Sequence, residues 1–280
     1  MVRLASPGVI WISKADVSEL NTLTSSQPGH IYFDDTPLRF GITLSSAIPE
    51  SATLKIAICD LYGNTHNWSK PVNQIHGIYR YGGIIVFPRD HEYRRGMFRS
   101  VTLICDQLGR TLSTSSDCAF SVLPRPRDID PRKSFFGIHM QLTPENYEIA
   151  RAIGARWVRL HDTAIETTWG TSQPQPGPFN YFDSNIDSAR AAGFEILGML
   201  DGAPAWTTIS PNPSTLNFAT PYNNPNKPEA PKYWRDYVEA MISHYRGRID
   251  NWEAWNEPWG EFFPGSSKQY ANLLKSAYMT

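Results

Sequence analysis

The period of hydrophobic and polar positions changes once along the chain. From about residue 29 to 123 apolar residues alternate with polar ones, the period of a half-buried strand. Strands are predicted over 31–33, 38–44, 53–59, 83–87, 100–105 and 118–123, with turn signals between them. Short strands in series predict an immunoglobulin-like β-sandwich over 29–123. Residues 1–28 are weakly patterned and rich in Ser and Thr, and read as a lead-in segment. An internal echo supports the β-rich reading. Asp60-Leu61-Tyr62-Gly63 and Asp106-Gln107-Leu108-Gly109 each follow Ile-Cys. In both, Asp can bond the local backbone while Gly supplies the positive φ of a turn.

Residues 124–134 hold Pro124, Pro126 and Pro131 among charges, the composition of a stiff linker. Beyond it the grammar changes. Strands predicted over 135–140, 156–161, 194–200 and from 249 alternate with helices over 143–153, 183–192 and 232–245. Thr143-Pro144-Glu145 opens the first helix as cap, first position and first-turn acid. Gly154, Gly193 and Gly247 close the three helices. Strands alternating with helices predict a parallel sheet with right-handed crossovers. Each helix returns to the next strand through one or two residues around a Gly. The strand-to-helix loops 161–182 and 201–231 are long by contrast. Long loops are expensive to order, so they mark the C-terminal ends of the strands as the functional face.

Residues 249–260 read Ile-Asp-Asn-Trp-Glu-Ala-Trp-Asn-Glu-Pro-Trp-Gly. Pro258 cannot donate to a ladder and is expected to end the fourth strand. Just before it stand Asn256 and Glu257, among Trp252, Trp255 and Trp259. A carboxyl desolvated by indole rings is held protonated and suits general-acid work. Strict alternation sends Asn256 and Glu257 to opposite sides, so both reach one cleft only if the strand breaks at its end. Glu253 would lie deeper, as a buried, hydrogen-bonded support. On the second strand Trp157, Arg159 and His161 share one side.

Trp255-Asn256-Glu257-Pro258 after a strand resembles the end of the fourth strand in clan A glycoside hydrolases. Three further stretches resemble family 39 of that clan: Arg159-Leu160-His161, Gly198-Met199-Leu200 with Pro204-Ala205-Trp206, and residues 270–278. The resemblance implies that 135–280 is the N-terminal half of a TIM (β/α)8 barrel, strands one to four, behind the β-sandwich. It implies retaining hydrolysis of a β-linked glycoside or polysaccharide. Glu257 would be the acid/base, Asn256 a partner of the sugar 2-hydroxyl, and Arg159 the group orienting the nucleophile. His139, His161, Trp169, Trp206 and Trp259 are expected to bind substrate. A retaining mechanism needs a second carboxylate about 5–5.5 Å from the first. In this clan strand seven supplies it, and no residue of this chain is assigned to it. The isolated chain is therefore expected to be inactive, and to self-associate through its open strand edges. The alternative is a non-catalytic carbohydrate-binding protein.

Composition narrows the classes. Apolar residues make up 41% of the 280, enough for a sizeable core. A net charge of −1 argues against nucleic acid or an anionic membrane surface as partner. No apolar run reaches membrane-spanning length. The 9 Trp and 13 Tyr suit stacking on sugar rings as well as core packing. No cofactor motif, phosphate loop, metal-ligand spacing or Gly-x-Ser-x-Gly elbow occurs. The three cysteines, Cys59, Cys105 and Cys118, read as buried strand residues. His66, His76 and His91 read as ordinary polar positions, and Arg89, Arg94, Arg95 and Arg99 as a solvated face. The first residues lack a signal-peptide pattern, which leaves localisation open. An extracellular or periplasmic place suits the parent enzyme.

Overall fold

The computed structural model describes residues 3–4, 10–11, 22–25, 27–43, 48–49, 51–74, 83–87, 95–114, 118–207, 230–259, 263 and 265–280. The chain divides into two compact units, Met1–Pro126 and Arg127–Thr280. The division falls inside the Pro-rich stretch 124–134.

The first unit is built of strands. β1 (Arg3–Leu4) pairs with β2 (Ile10–Trp11). β3 (Thr22–Ser25), β5 (Leu38–Thr43) and β8 (Gly83–Phe87) form a three-stranded antiparallel sheet in the order β3-β5-β8. The segment 1–28, expected as a lead-in, thus contributes a strand to a sheet. The larger sheet has the order β4-β11-β9-β6-β7, with β10 pairing with β9. Its strands are β4 (Ile31–Phe33), β6 (Thr53–Asp60), β7 (Thr65–Pro71), β9 (Gly96–Cys105), β10 (Thr111–Thr114) and β11 (Cys118–Leu123). β4 runs parallel to β11; the other pairings are antiparallel. Sequence periodicity missed β7 and β10. β7 is an edge strand with no buried side chain, and Thr-His-Asn-Trp-Ser-Lys-Pro carries no apolar alternation.

One cluster of buried residues draws on both sheets: Leu38 and Phe40 from β5, with Tyr32, Leu54, Ile56, Ile58, Phe98, Ile104, Phe120 and Val122 from the larger one. Phe40 meets Phe120 edge-on at 5.1 Å, and Phe98 stacks on Phe120 at 5.4 Å. The sequence echo becomes a structural one. Asp60 Oδ1 accepts from the backbone N–H of Tyr62 and Asn64 at 2.9 and 2.8 Å. Asp106 Oδ1 accepts from Leu108 and Arg110, both at 2.9 Å. Cys105 and Cys118 are buried, whereas Cys59 is half-buried, with its Sγ 3.2 Å from Thr65 Oγ1. Arg95 and Arg99 are exposed; Arg89, Arg94, His76 and His91 lie outside the described residues.

The second unit is a four-stranded, all-parallel sheet in sequential order: β12 (Gly137–Ile138), β13 (Trp157–Arg159), β14 (Glu195–Leu200) and β15 (Asn251–Ala254). Between and after the strands come α1 (Pro144–Ala152), the single turn α2 (Trp169–Ser172), α3 (Asp183–Ala191), α4 (Ala230–His244) and α5 (Ser267–Met279). α1 begins as its sequence predicts, Thr143 Oγ1 accepting from Asn146 N–H and Pro144 filling the first turn. α1 and α3 both end on a glycine with positive φ, Gly154 at +90° and Gly193 at +87°. There Ala155 N–H returns to Ala150 O and Phe194 N–H to Ala189 O, both closing otherwise orphaned carbonyls.

The two faces of this sheet differ. Val158, Leu160, Ile196 and Leu200 join one core with side chains from four helices. These are Tyr147 and Ala150 of α1, Ile186 and Ala189 of α3, Trp234, Tyr237 and Val238 of α4, and Leu273 of α5. Their alternates on the strands, Trp157, Arg159, Glu195, Leu197 and Glu253, are only half-buried. Helices therefore cover one face. In a sequentially ordered parallel sheet, this requires every crossover to have the same hand. The fourth strand ends at Ala254 instead of running to Pro258. Trp255 N–H still bonds Leu200 O at 3.0 Å, and then Trp255 turns to φ +70°.

Candidate functional site

Side chains from three of the four strands meet at the C-terminal end of the parallel sheet. Arg159, the last residue of β13, is the hub. Its Nε donates to Glu253 Oε2 at 2.6 Å and its NH2 to Glu253 Oε1 at 2.8 Å. The same NH2 donates to Asn256 Oδ1 at 3.0 Å, and NH1 donates to His139 Nε2 at 3.0 Å. Four of the five guanidinium N–H groups are thereby engaged. The Glu253 carboxylate holds Arg159 above its ordinary pKa, chiefly through those hydrogen bonds. Desolvation, followed by the Arg159 charge, holds His139 below its own.

A second group lies beside the first. His161 Nδ1 sits 3.0 Å from Asp162 Oδ1, and His161 Nε2 sits 3.7 Å from Asp201 Oδ2. His139 Nδ1 lies 3.8 Å from Asp162 Oδ2. Asp201 follows β14 directly and is buried. Burial pushes its carboxyl up to about 6, against the opposing pull of His161, Thr168 and Arg159. Its surroundings are fixed by the loops. Trp169 N–H donates to Asp201 O at 2.9 Å and Gly170 N–H to Gly202 O at 2.7 Å, clamping the loop after β13 onto the loop after β14. A Cβ on Gly170 would stand 3.1 Å from Gly202 O, so glycine permits that approach.

Backbone strain gathers at the same end. Among the described residues four non-glycine positions have positive φ, and three are here: Asp162 at +58°, Trp255 at +70° and Glu257 at +42°. Such residues persist only where their surroundings over-determine them. For Trp255 these are plain: its ring is buried against Trp234 and Phe263, and Tyr270 of α5 donates to Ala254 O at 3.0 Å. This break gives Asn256 its contact with Arg159, which strict alternation did not provide.

Not every expected site residue is placed as the sequence suggested. Glu257 was expected beneath indole rings, but it is exposed. Trp255 turns into the core, Trp252 lies half-buried across β14, and Trp259 is 70% exposed. The expected desolvation of Glu257 is therefore absent. Trp169 was expected to bind substrate, but it is fully buried, stacked on Tyr237 at 5.0 Å, with Nε1 donating to Gln173 Oε1 at 2.9 Å. It is a core residue. Trp206 is half-buried, its Nε1 donating to Gln173 O at 3.0 Å, which leaves part of the ring accessible. Glu253 is hydrogen-bonded as expected, although its side chain keeps 34% exposure. Residues 208–229, most of the loop after β14, lie outside the described residues.

Asp162 and Asp201 fall in the long loops 161–182 and 201–231, where their sequence positions suit caps or sugar contacts and not the nucleophile. Their signal is positional: each is an Asp immediately after the last apolar or cleft-facing residue of a strand end. The chain matches no protein-family model and no curated protein. Among the described residues no helix is long and apolar enough to cross a membrane.

Proposed function

We propose that this end of the sheet is the sugar-binding cleft of a retaining β-glycoside hydrolase, and that the parallel unit corresponds to the first four strands of a (β/α)8 barrel. The observation that carries the reading is the Arg159–Asn256 hydrogen bond at 3.0 Å. It ties the end of the second strand to the Asn-Glu pair after the fourth, and fixes the amide beside the proposed acid. Sequential parallel strands with helices on one face accord with barrel winding, in which function sits at the strands' C-terminal ends.

In this reading Glu257 protonates the leaving oxygen, and Asn256 offers its amide N–H2 to the sugar, since its Oδ1 accepts from Arg159. Arg159, already engaged by Glu253, His139 and Asn256, acts as a rigid brace. The nucleophilic carboxylate that retention also demands is assigned to none of these residues. Substrate must supply the water exclusion that exposed Glu257 lacks, by covering it with the sugar ring.

The test is the leaving-group dependence of hydrolysis. Glu257→Gln should slow hydrolysis of β-glycosides with poor leaving groups by about 10²–10⁴-fold while sparing activated aryl glycosides. Equal rates for wild type and variant on both classes would overturn the assignment. The exposure of Glu257 favours a second reading, a carbohydrate-binding protein that breaks no bond. It predicts oligosaccharide affinity that Glu257→Gln leaves intact, with no turnover of any glycoside.

A further inference from the structure

We propose that His139, His161 and Asp162 form a binding site for a divalent transition-metal cation of the zinc type, with Asp201 as the outer carboxylate that orients His161. The site stands independently of glycoside hydrolysis.

The three residues come from the ends of adjacent strands, β12 and β13, and one ligand atom from each lies within 4.8 Å of the others. Zinc bonds to nitrogen and oxygen are about 2.0–2.2 Å long, so two ligands of one tetrahedral ion stand about 3.4 Å apart. His161 Nδ1 stands 3.0 Å from Asp162 Oδ1, and His139 Nδ1 stands 3.8 Å from the other oxygen, Oδ2, so each histidine faces its own side of one carboxylate at about the ligand spacing.

His161 supplies the second observation. Its Nδ1 is buried and makes no hydrogen bond, although Asp162 Oδ1 is only 3.0 Å away. The distance suits a hydrogen bond but the direction does not. Two atoms so close without a proton directed between them have the relation of two ligands to a common ion. The opposite nitrogen, Nε2, lies 3.7 Å from buried Asp201 Oδ2, longer than a hydrogen bond but on the side from which an outer carboxylate orients a metal-bound histidine. Asp201 Oδ1 also lacks a hydrogen-bond partner. Local charge points the same way: Arg159 feels the charges of Glu253, Asp201 and Asp162, three carboxyl groups to one guanidinium. A cation offsets that excess.

Arg159 sets one condition. Its NH1 donates to His139 Nε2, which selects the tautomer with a proton on Nδ1. Ligation through His139 Nδ1 needs the other tautomer: Nδ1 gives its proton to solvent, Nε2 takes one up, no proton is released in balance, and the now protonated Nε2 no longer accepts from Arg159. Arg159 keeps its bonds to Glu253 and Asn256. Three protein ligands leave coordination positions open, where water or another small oxygen donor would fit.

The experiment uses the chelator-treated full chain without an affinity tag. Zn²⁺ is titrated against a chromophoric chelator, and Co²⁺ against its own ligand-field absorption. Wild type is expected to bind one equivalent of Zn²⁺ and to give Co²⁺ bands of nitrogen and oxygen ligation. Asp162→Asn and His161→Gln should each weaken binding at least about tenfold, and Asp201→Asn by about 10–100-fold. His66→Gln in the β-rich unit should bind as wild type. Asp162 is largely exposed, and Asn also tolerates its left-handed backbone, so the Asp162→Asn protein should fold. Absence of Zn²⁺ uptake by wild type, or uptake by Asp162→Asn and His161→Gln equal to that of wild type, overturns the site.

Discussion

Arg159 and Glu253 face each other fork to fork across β13, β14 and β15, two parallel hydrogen bonds spanning two strand spacings. The pair is half-buried, with side-chain exposures of 19% and 34%. It therefore escapes much of the screening that makes surface pairs weak, without the full desolvation cost of a core pair. Arg159→Lys keeps the charge and loses the fork, so the Asn256 and His139 contacts go with it. The expected loss is about 1–2 kcal/mol. A double-mutant cycle with Glu253→Gln, read by urea denaturation, should show coupling between the two positions. Additive losses would mean the pair does not hold the strand ends.

Gly198 pairs in register with Trp252, and a Cβ built on it would stand 2.5 Å from Trp252 Cε3. The indole lies over the neighbouring strand, so the smallest residue is required beneath it. Gly198→Ala is expected to cost about 1–3 kcal/mol as overpacking. Combining it with Trp252→Leu should recover part of the loss in thermal melting. No recovery would mean the backbone, rather than the ring, resists the methyl group.

Local rules made the helix starts and stops legible. Thr143, Pro144, Gly154 and Gly193 act within a few residues of themselves. The loop asymmetry was likewise readable, because loop lengths follow from where the helix and strand signals stop. Side-chain destinations after Ala254 were not. Once Trp255 adopts positive φ, alternation no longer says where Asn256, Glu257 and Trp259 go, and three-dimensional packing by Phe263 and Trp234 decides it. Trp169 misled for a related reason. A Trp in a polar loop looks available to ligand, but that loop folds down through Gly170 onto Gly202 and buries the ring. The grouping of His139 with His161 and Asp162 was hidden because it forms across two strands and carries no local spacing signature.

Asp183 heads α3 and receives His244 Nε2 at 2.8 Å and Arg248 NH1 at 2.5 Å. Desolvation raises its pKa, but these two partners outweigh it, so the net shift is downward. A depressed carboxyl contributes stability above its unfolded pKa of about 3.8. That contribution is lost as pH falls through the lower folded value. Arg248→Gln should therefore melt below wild type at pH 7, by a small margin since Asp183 is about half exposed. The margin should close as the pH drops below about 3.8. A gap that stays constant down to about pH 2 would assign the effect of Arg248 to packing on Tyr245, over whose ring its guanidinium lies at 5.1 Å.

The tryptophans offer the sharpest contrast between fold and recognition. Trp169 is fully buried among Trp234, Tyr237 and Trp206. Truncating it to Ala should cost about 3–5 kcal/mol, the range for a large aromatic removed from a core. Trp259 stands two residues past Glu257 with 70% of its surface in solvent. Trp259→Ala should leave the melting temperature close to that of wild type, since exposed positions rarely move stability by more than ~0.5 kcal/mol. If the cleft receives sugar, the exposed indole is a stacking platform and its loss should weaken oligosaccharide binding severalfold in calorimetry. Trp169→Phe, which keeps most of the core volume, should bind as wild type. Unchanged affinity in Trp259→Ala, for any oligosaccharide that the wild type binds, would remove this ring from the recognition surface.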